Sequence, residues 1–322
     1  MMENIAILTG GDSAEYNISL LSANTVFKNL NKLKYRAFIV HLKENKFQVL
    51  LNENKITIDK SEFSFQLDGV KIFFNKVFMA LHGPPAENGL IQDYFDKLRI
   101  PYTSCNSSIS ALTFNKYECN KKLTELEFDC AKSIILNSDN LIDEEEIITS
   151  IKLPCFVKPN GAGSSFGVSK VNTKKELLPA INNAFKHDKK VLIESFIDGT
   201  EISCGVYFDG TKINALPITE IVTENEFFDY EAKYDGKADE ITPARISKSL
   251  TVAVQKTTID IYKKIKLSGI CRIDYIIMNN KPFIIEINTI PGLSRESIIP
   301  QQLIAAKISL SKVFDLCLNN LN

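Results

Sequence analysis

The chain has almost no net charge: 38 Lys and Arg against 39 Asp and Glu leave −1 over 322 residues. That balance gives no reason to expect nucleic acid or an anionic membrane as a partner, so any basic residue that matters must act locally. A C-x-x-C pair is also missing. The seven cysteines, at 105, 119, 130, 155, 204, 271 and 317, form an odd set, and several fall in apolar runs such as Pro154-Cys-Phe-Val157. They read as reduced, buried small hydrophobes rather than a disulfide framework. No basic segment precedes the short apolar run Ile5-Ala-Ile-Leu8, and no run is long enough for a signal peptide or a membrane span, so a cytoplasmic location is expected. Repeats and low-complexity linkers are absent as well.

What remains is an ordinary soluble composition, 44% hydrophobic and 24% charged, on a chain long enough for two or three domains. The first block alternates strands at 5–8, 37–42 and 76–81 with a helical pattern over 18–30, as in a small parallel α/β layer. Segments 47–51 and 70–74 are expected to form a hairpin on its edge. A second block carries a helix near 116–126, strands at 131–136, 154–158 and 191–194, and a helix over 174–185. The third has antiparallel strands at 201–208 and 213–218, a long polar segment, a helix near 250–265, a hairpin and a terminal helix. This gives an α/β (α+β) fold with domains 1–106, 107–197 and 198–322.

The hairpin is the most informative segment. Gly269-Ile-Cys-Arg-Ile-Asp-Tyr-Ile-Ile-Met278 and Phe283-Ile-Ile-Glu-Ile-Asn-Thr-Ile-Pro-Gly292 read as neighbouring strands. A three-residue loop at Asn279, Asn280 and Lys281 would set Asp274 opposite Glu286 and Arg272 opposite Asn288, all on one face. The other face would carry Cys271, Ile273, Tyr275 and Ile277 against Phe283, Ile285 and Ile287 into a core. Two carboxylates and an amide oxygen suit a hard cation such as Mg²⁺, although a hairpin face with a cross-strand ion pair can also simply be solvated.

A second constellation follows a strand ending in Lys158, in the loop Lys158-Pro-Asn-Gly-Ala-Gly-Ser-Ser-Phe-Gly167. Its glycines, with Ser164 and Ser165, offer unhindered backbone N–H groups to an anion. A Lys-Ser/Thr pair and a following helix are both missing, so it is not a Walker loop. Lys158 beside a cation-binding face points to a nucleoside triphosphate.

These residues, with Gly10-Gly-Asp-Ser-Ala-Glu-Tyr-Asn-Ile-Ser19, Ala80-Leu-His-Gly83, Phe114-Asn-Lys116, Glu194, Phe228-Asp-Tyr-Glu-Ala-Lys-Tyr234 and Ser297, resemble the D-alanine–D-alanine ligases of the ATP-grasp superfamily nearly end to end. The resemblance implies a three-domain ATP-grasp fold, with a Rossmann-like N-terminal domain and two α+β domains that sandwich ATP. It implies that Lys116 and Lys158 contact the ATP phosphates beside the Ser165 loop, that Glu194 and Ile197 hold adenine, and that Glu201 takes the ribose. Asp274, Glu286 and Asn288 would hold two Mg²⁺ or Mn²⁺ ions. Glu15 would bind the ammonium of the first D-alanine, linked to Ser164 and Tyr234. Ser297 and Lys233 would meet the carboxylate of the second, and Arg272 and the Gly292 amide would face the oxyanion. A homodimer is expected on the same ground.

The polar stretch 223–243 then reads as a lid that keeps water from an acyl phosphate. His82 could touch substrate or be a satisfied core histidine, and Glu15 alone could be helix-start chemistry. The family's Gly-Glu-Asp-Gly is here Ala86-Glu-Asn-Gly89, a departure that keeps Glu87. Three other functions share parts of this set. A D-alanine–D-lactate ligase would replace the tyrosine lid, a non-catalytic ATP-binding module would lose part of the metal or oxyanion set, and another ATP-grasp ligase would not keep Glu15 and Ser297 together.

Overall fold

The computed structural model describes every residue except 1, 53, 140, 162, 164, 165, 224–237 and 322. Its strands fall into three main sheets in chain order. The first contains β1 (Glu3–Gly10), β2 (Tyr35–Lys43), β3 (Lys46–Leu51), β4 (Asn54–Thr57) and β7 (Lys76–Met79), in the order β4-β3-β2-β1-β7. β1 lies parallel to both β2 and β7, and helix α1 (Tyr16–Asn29) packs on it. The apolar run of β1 is buried on both faces: Ala6 and Leu8 enter one core while Ile5 and Ile7 enter another with α1. That two-sided burial explains why it reads as continuous apolar sequence rather than alternation.

The expected edge hairpin does not form. Segment 47–51 pairs as β3 with β2 and β4, whereas β6 (Val70–Phe73) pairs with β5 (Ser64–Leu67) as a separate ribbon. A cluster of Phe47, Phe63, Phe65 and Phe74 packs beneath them, so aromatic burial rather than mutual hydrogen bonding unites the two segments. Helix α2 (Leu90–Leu98) completes this part.

Helices α3 (Ser107–Phe114) and α4 (Lys116–Glu125) meet at one residue, Asn115, whose side chain accepts from the Glu118 backbone N–H at 3.1 Å and caps α4. The second sheet has the order β10-β9-β11-β8, from β8 (Ser133–Asn137), β9 (Cys155–Pro159), β10 (Ser169–Val171) and β11 (Lys190–Ser195). Helices α5 (Glu144–Ile151) and α6 (Lys174–Ala184) cover it around Ile151, Val157, Leu177, Ile181 and Ile193.

The third sheet runs β15-β14-β12-β16-β17, with β13 (Ile213–Ala215) also on β12 (Thr200–Phe208). Here β14 (Thr219–Thr223) pairs antiparallel with β15 (Ala238–Ile241), so both ends of the expected lid are strands of the sheet; residues 224–237, which include Lys233 and Tyr234, lie outside the described residues. Helix α7 (Lys248–Ile265) packs on this sheet, and β16 (Ile270–Met278) and β17 (Lys281–Asn288) form the hairpin. Helix α8 (Ile298–Ala305) lies against β12, and α9 (Leu310–Asn319) returns to the first layer, where Phe314 meets Phe78.

Candidate active site

The hairpin register is as expected at the polar positions, but by another route. The turn has two residues, Asn279 and Asn280, both left-handed at φ 53° and 59°, and Met278 pairs with Lys281. A bulge between Asp274 and Tyr275 adds one residue on β17, which returns Asp274 to Glu286 and Arg272 to Asn288. The bulge also changes the apolar face. Ile284, opposite Tyr275, and Ile287 are buried, whereas Phe283 and Ile285 are only half-buried, so the expected inward pair of Phe283 and Ile285 is corrected to Ile284.

Asp274 is the hub of the polar face. Its Oδ1 accepts from Arg272 Nε at 2.9 Å and from the Ser203 hydroxyl at 2.5 Å; its Oδ2 accepts from Arg272 Nη2 at 2.8 Å and Asn288 Nδ2 at 2.9 Å. Ser203 sits opposite Asp274 on β12, and its carbonyl accepts from buried Gln302 of α8 at 2.9 Å. Burial disfavours the Arg272 charge, yet Asp274, Glu286 and Glu240 more than compensate and hold its pKa above the ordinary arginine value.

Two lysines approach from the other sheets. Asn160, just past β9, receives the Tyr117 N–H on its side chain at 2.9 Å and the Lys116 N–H on its carbonyl at 3.2 Å, which fixes the start of α4. Lys116 Nζ then reaches Glu286 Oε1 at 3.2 Å. Burial opposes the Lys116 charge, but Glu286 outweighs it and its pKa is raised. Lys158 on β9 is buried and pairs with buried Glu194 of the neighbouring β11. Ile197 is buried just beyond that strand, and Glu201, half-buried, is the second residue of β12.

Between these elements lies a cavity of about 480 Å³, lined by Glu15, His82, Glu87, Gly163, Glu240, Arg272, Glu286, Asn288, Gly292 and Ser297 among others. Glu15 is the N-cap residue of α1, yet its side chain makes no capping hydrogen bond. A Cβ on Gly163 would lie 3.5 Å from Glu15 Oε2, so the backbone at Gly163 lies against this carboxylate; Ser164 and Ser165 themselves are outside the described residues. Gly292 is pressed against Ser297, where a Cβ would stand 2.7 Å from the hydroxyl. Ser297 in turn shares a hydrogen bond with Ser294 at 2.7 Å and precedes α8. The cavity therefore brings together Glu15, Arg272, Glu286, Asn288, Gly292 and Ser297. Lys158, Glu194, Ile197 and Glu201 do not line it; the first three sit on or just beyond the second sheet, and Glu201 sits near the start of β12, the central strand of the third.

Three contributors escape a reading of the sequence. His82 is buried and donates from Nδ1 to the Ile290 carbonyl at 2.8 Å, which leaves Nε2 to accept from Ser22 at 2.8 Å. Ser22 also accepts from Leu293 N–H at 3.0 Å, so one relay holds both ends of the Ile290 to Leu293 bend that carries Gly292. Glu87 stands in a carboxylate cluster: burial first, then Glu15 and Glu286, push its pKa to about 8. Glu240 faces the same cavity from β15. Only the histidine's place in a motif and the retained Glu87 gave any signal beforehand. Ala86 is fully buried, and Asn88 accepts from Leu90 N–H at 3.3 Å at the start of α2, so both departures from the family motif are built into the fold.

The donor chemistry fits a hard cation. Asp274, Glu286 and Asn288 supply two carboxylates and an amide oxygen on adjacent strands, but all Asp274 oxygens are presently taken by protein donors. Among the described residues no three His, Cys, Asp or Glu side chains converge as a metal set. The seven cysteines are free, all buried except half-buried Cys130, and no helix among the described residues is long and apolar enough to cross a membrane.

Comparison with known proteins identifies relatives along nearly the whole chain. The family described as D-ala D-ala ligase N-terminus matches residues 4–105, and D-ala D-ala ligase C-terminus matches 126–318. The chain is 50% identical to a D-alanine–D-alanine ligase of Flavobacterium johnsoniae and 46% identical to one of Phocaeicola vulgatus, each over 97% of both chains. Among solved structures, the VanG D-Ala:D-Ser ligase of Enterococcus faecalis superposes with a TM-score of 0.88 at 30% identity over 99% of both chains. A D-alanine–D-alanine ligase of Bacillus anthracis complexed with ATP gives 0.79 at 27% identity, covering 98% of this chain and 96% of that one. The architecture is ATP-grasp, and the chain belongs to the D-alanine–D-alanine ligase family.

Proposed function

We propose that the chain joins two D-alanine molecules through a D-alanyl phosphate, formed by transfer of the ATP γ-phosphoryl group with release of ADP and broken by the second amine with release of phosphate, and so supplies a dipeptide for peptidoglycan. The observation that carries this reading is the cavity that Glu15, Arg272, Gly292 and Ser297 line together. A carboxylate is a poor electrophile, and the first substrate needs activation by the ATP γ-phosphoryl group before an amine can attack. Glu15 receives the ammonium of that first substrate, and the Gly163 loop closes over it. Lys116 and Lys158 neutralise phosphate oxygens, with Glu194 and Ile197 toward adenine and Glu201 toward ribose.

Asp274, Glu286 and Asn288 would hold Mg²⁺ or Mn²⁺, two ions, and when bound these offset charge on the phosphates. For Asp274 to serve, one of the donors on its oxygens, from Arg272, Ser203 or Asn288, must release it. Arg272 carries five N–H donors, more than Asp274 uses, and with the Gly292 amide it meets the oxyanion formed on attack. Ser297, beside the α8 N-terminus, takes the acceptor carboxylate. Lys233, Tyr234, Ser164 and Ser165 keep the roles the resemblance implies. Domains 1–106, 107–197 and 198–322, a cytoplasmic location and a homodimer complete the proposal.

A coupled ADP-release assay with D-alanine, L-alanine, D-lactate and D-serine tests it. ADP release that needs D-alanine and yields D-alanyl-D-alanine is expected; release with L-alanine alone, or a product only with D-lactate or D-serine as acceptor, would overturn it.

A further inference from the structure

Glu240 is a cavity carboxylate to which neither the sequence nor the family resemblance gives a role. It lies on β15, one strand out from β14, and is half-buried. Its Oε2 accepts from Gln301 Nε2 at 2.9 Å. Gln301 sits one helical turn after Ser297 on the same side of α8, so the bond places Glu240 on the side of the cavity that carries Ser297.

The chemistry on that side poses a charge problem. If the cavity performs the ligation proposed above, the second amino acid arrives as a zwitterion whose ammonium must approach a carbonyl beside Arg272. Ammonium and guanidinium repel at such range, and in a partly desolvated cavity the repulsion is stronger than in water. A counter-charge is therefore required. Of the other carboxylates lining the cavity, Glu15 takes the first ammonium in that reading and stands beside Glu87, Glu286 is held by Lys116, and Glu296 is exposed. Glu240 remains, with Arg272 as its strongest charged neighbour.

We infer that Glu240 is an acceptor-binding residue: its carboxylate receives the ammonium of the second D-amino acid and so favours an amine over a hydroxy acid as acceptor. The Gln301 amide holds the carboxylate in place. A glutamine at 240 can still accept from Gln301 through its own amide oxygen, so Glu240→Gln removes the charge and keeps the anchor.

The test measures donor and acceptor KM values for D-alanine, KM for ATP, and Tm, for the wild-type chain, Glu240→Gln and Gln301→Ala. In Glu240→Gln the acceptor KM should rise roughly 5–30-fold, the effect of one or two kcal/mol, with donor KM, ATP KM and Tm little changed. Relative use of D-lactate against D-alanine should increase in parallel, which a merely structural Glu240 would not produce. Gln301→Ala should raise the acceptor KM in the same direction by less. An acceptor KM that does not move, or that moves only together with the donor and ATP values, overturns the assignment while leaving the ligase reading intact. A wild-type chain that makes no D-alanyl-D-alanine overturns both.

Discussion

The Lys116 ammonium stands 3.2 Å from Glu286 Oε1 and so ties the first turn of α4 to strand β17, across two separate stretches of the fold. The lysine is largely buried and the glutamate only partly open, but a glutamine at 286 can still accept from the ammonium through its amide oxygen, so that substitution costs little, about 0.5 kcal/mol, the low end of one hydrogen bond. The pair's use lies in holding the lysine where phosphate oxygens and metal would meet. Glu286→Gln should therefore lower Tm by only a degree or two, since about 1 kcal/mol shifts a domain of this size by roughly 2–4 °C. Affinity for metal–nucleotide should fall at least about 10–100-fold. Titration of ATP at several Mg²⁺ concentrations, beside a melting curve, checks both numbers, and an unchanged ATP KM would remove Glu286 from the metal set.

The Arg272–Asp274 pair makes the opposite prediction for stability. Both side chains are largely buried, and Arg272→Ala leaves Asp274 with only Ser203 and Asn288 as partners. Breaking such a pair from one side costs about 3–5 kcal/mol, and loss of an oxyanion donor lowers kcat about 10²–10³-fold. Adding Asp274→Asn should restore much of the lost Tm and none of the lost rate. Recovery of both would mean that Arg272 serves only to neutralise Asp274.

Much of this site is legible in the sequence because period-two alternation and Asn-rich turns fix strand pairing locally. The polar face of the hairpin, the Lys158 loop and the start of α4 all come from such local rules. The hairpin also shows where those rules stop. A three-residue loop and a two-residue loop with a bulge place Asp274 opposite Glu286 equally well, and only the burial of Ile284 in place of Phe283 and Ile285 separates them. That choice is made by the core beneath, through contacts with β12 and α7. His82, Ser22, Ser203 and Glu240 act through partners between 60 and 271 residues away, a separation that no local pattern records.

Glu87 and His82 should bend the pH–stability curve in opposite directions. The Glu87 pKa is raised by burial from 4.5 to about 8, so below 4.5 both folded and unfolded chains hold the proton. As pH climbs from 4.5 toward 8 the unfolded chain ionises first, and the stability linked to Glu87 is progressively lost. His82 is lowered from 6.5 by burial, so below 6.5 the unfolded chain takes up a proton that the folded one resists, and stability falls on that side. Glu87→Gln keeps the neutral shape; its Tm should match the wild type near pH 4.5 and exceed it at pH 8. Melting curves of the two proteins across that range decide, and a constant difference would show that Glu87 is ionised throughout.

The last prediction concerns Gly292. Its neighbours Ile290 and Leu293 are pinned by the His82–Ser22 relay, and Ser297 closes the other side, so a Cβ at 292 would stand 2.7 Å from the Ser297 hydroxyl with little room to yield. The cheapest relief is rotation of Ser297, which would break its 2.7 Å bond to Ser294 and move the hydroxyl from the acceptor end of the cavity. Displacement of a positioning group by about 1 Å can cost on the order of 10²-fold in rate. Gly292→Ala should accordingly raise the acceptor KM and lower kcat by about that factor, while donor KM and ATP KM hold, because Glu15 and Lys116 lie on other elements. Adding Ser297→Gly removes the clash: Tm should recover, while the acceptor KM stays high because the hydroxyl is gone. If the double variant regains acceptor affinity, Ser297 is not an acceptor ligand, and the α8 N-terminus alone holds that carboxylate.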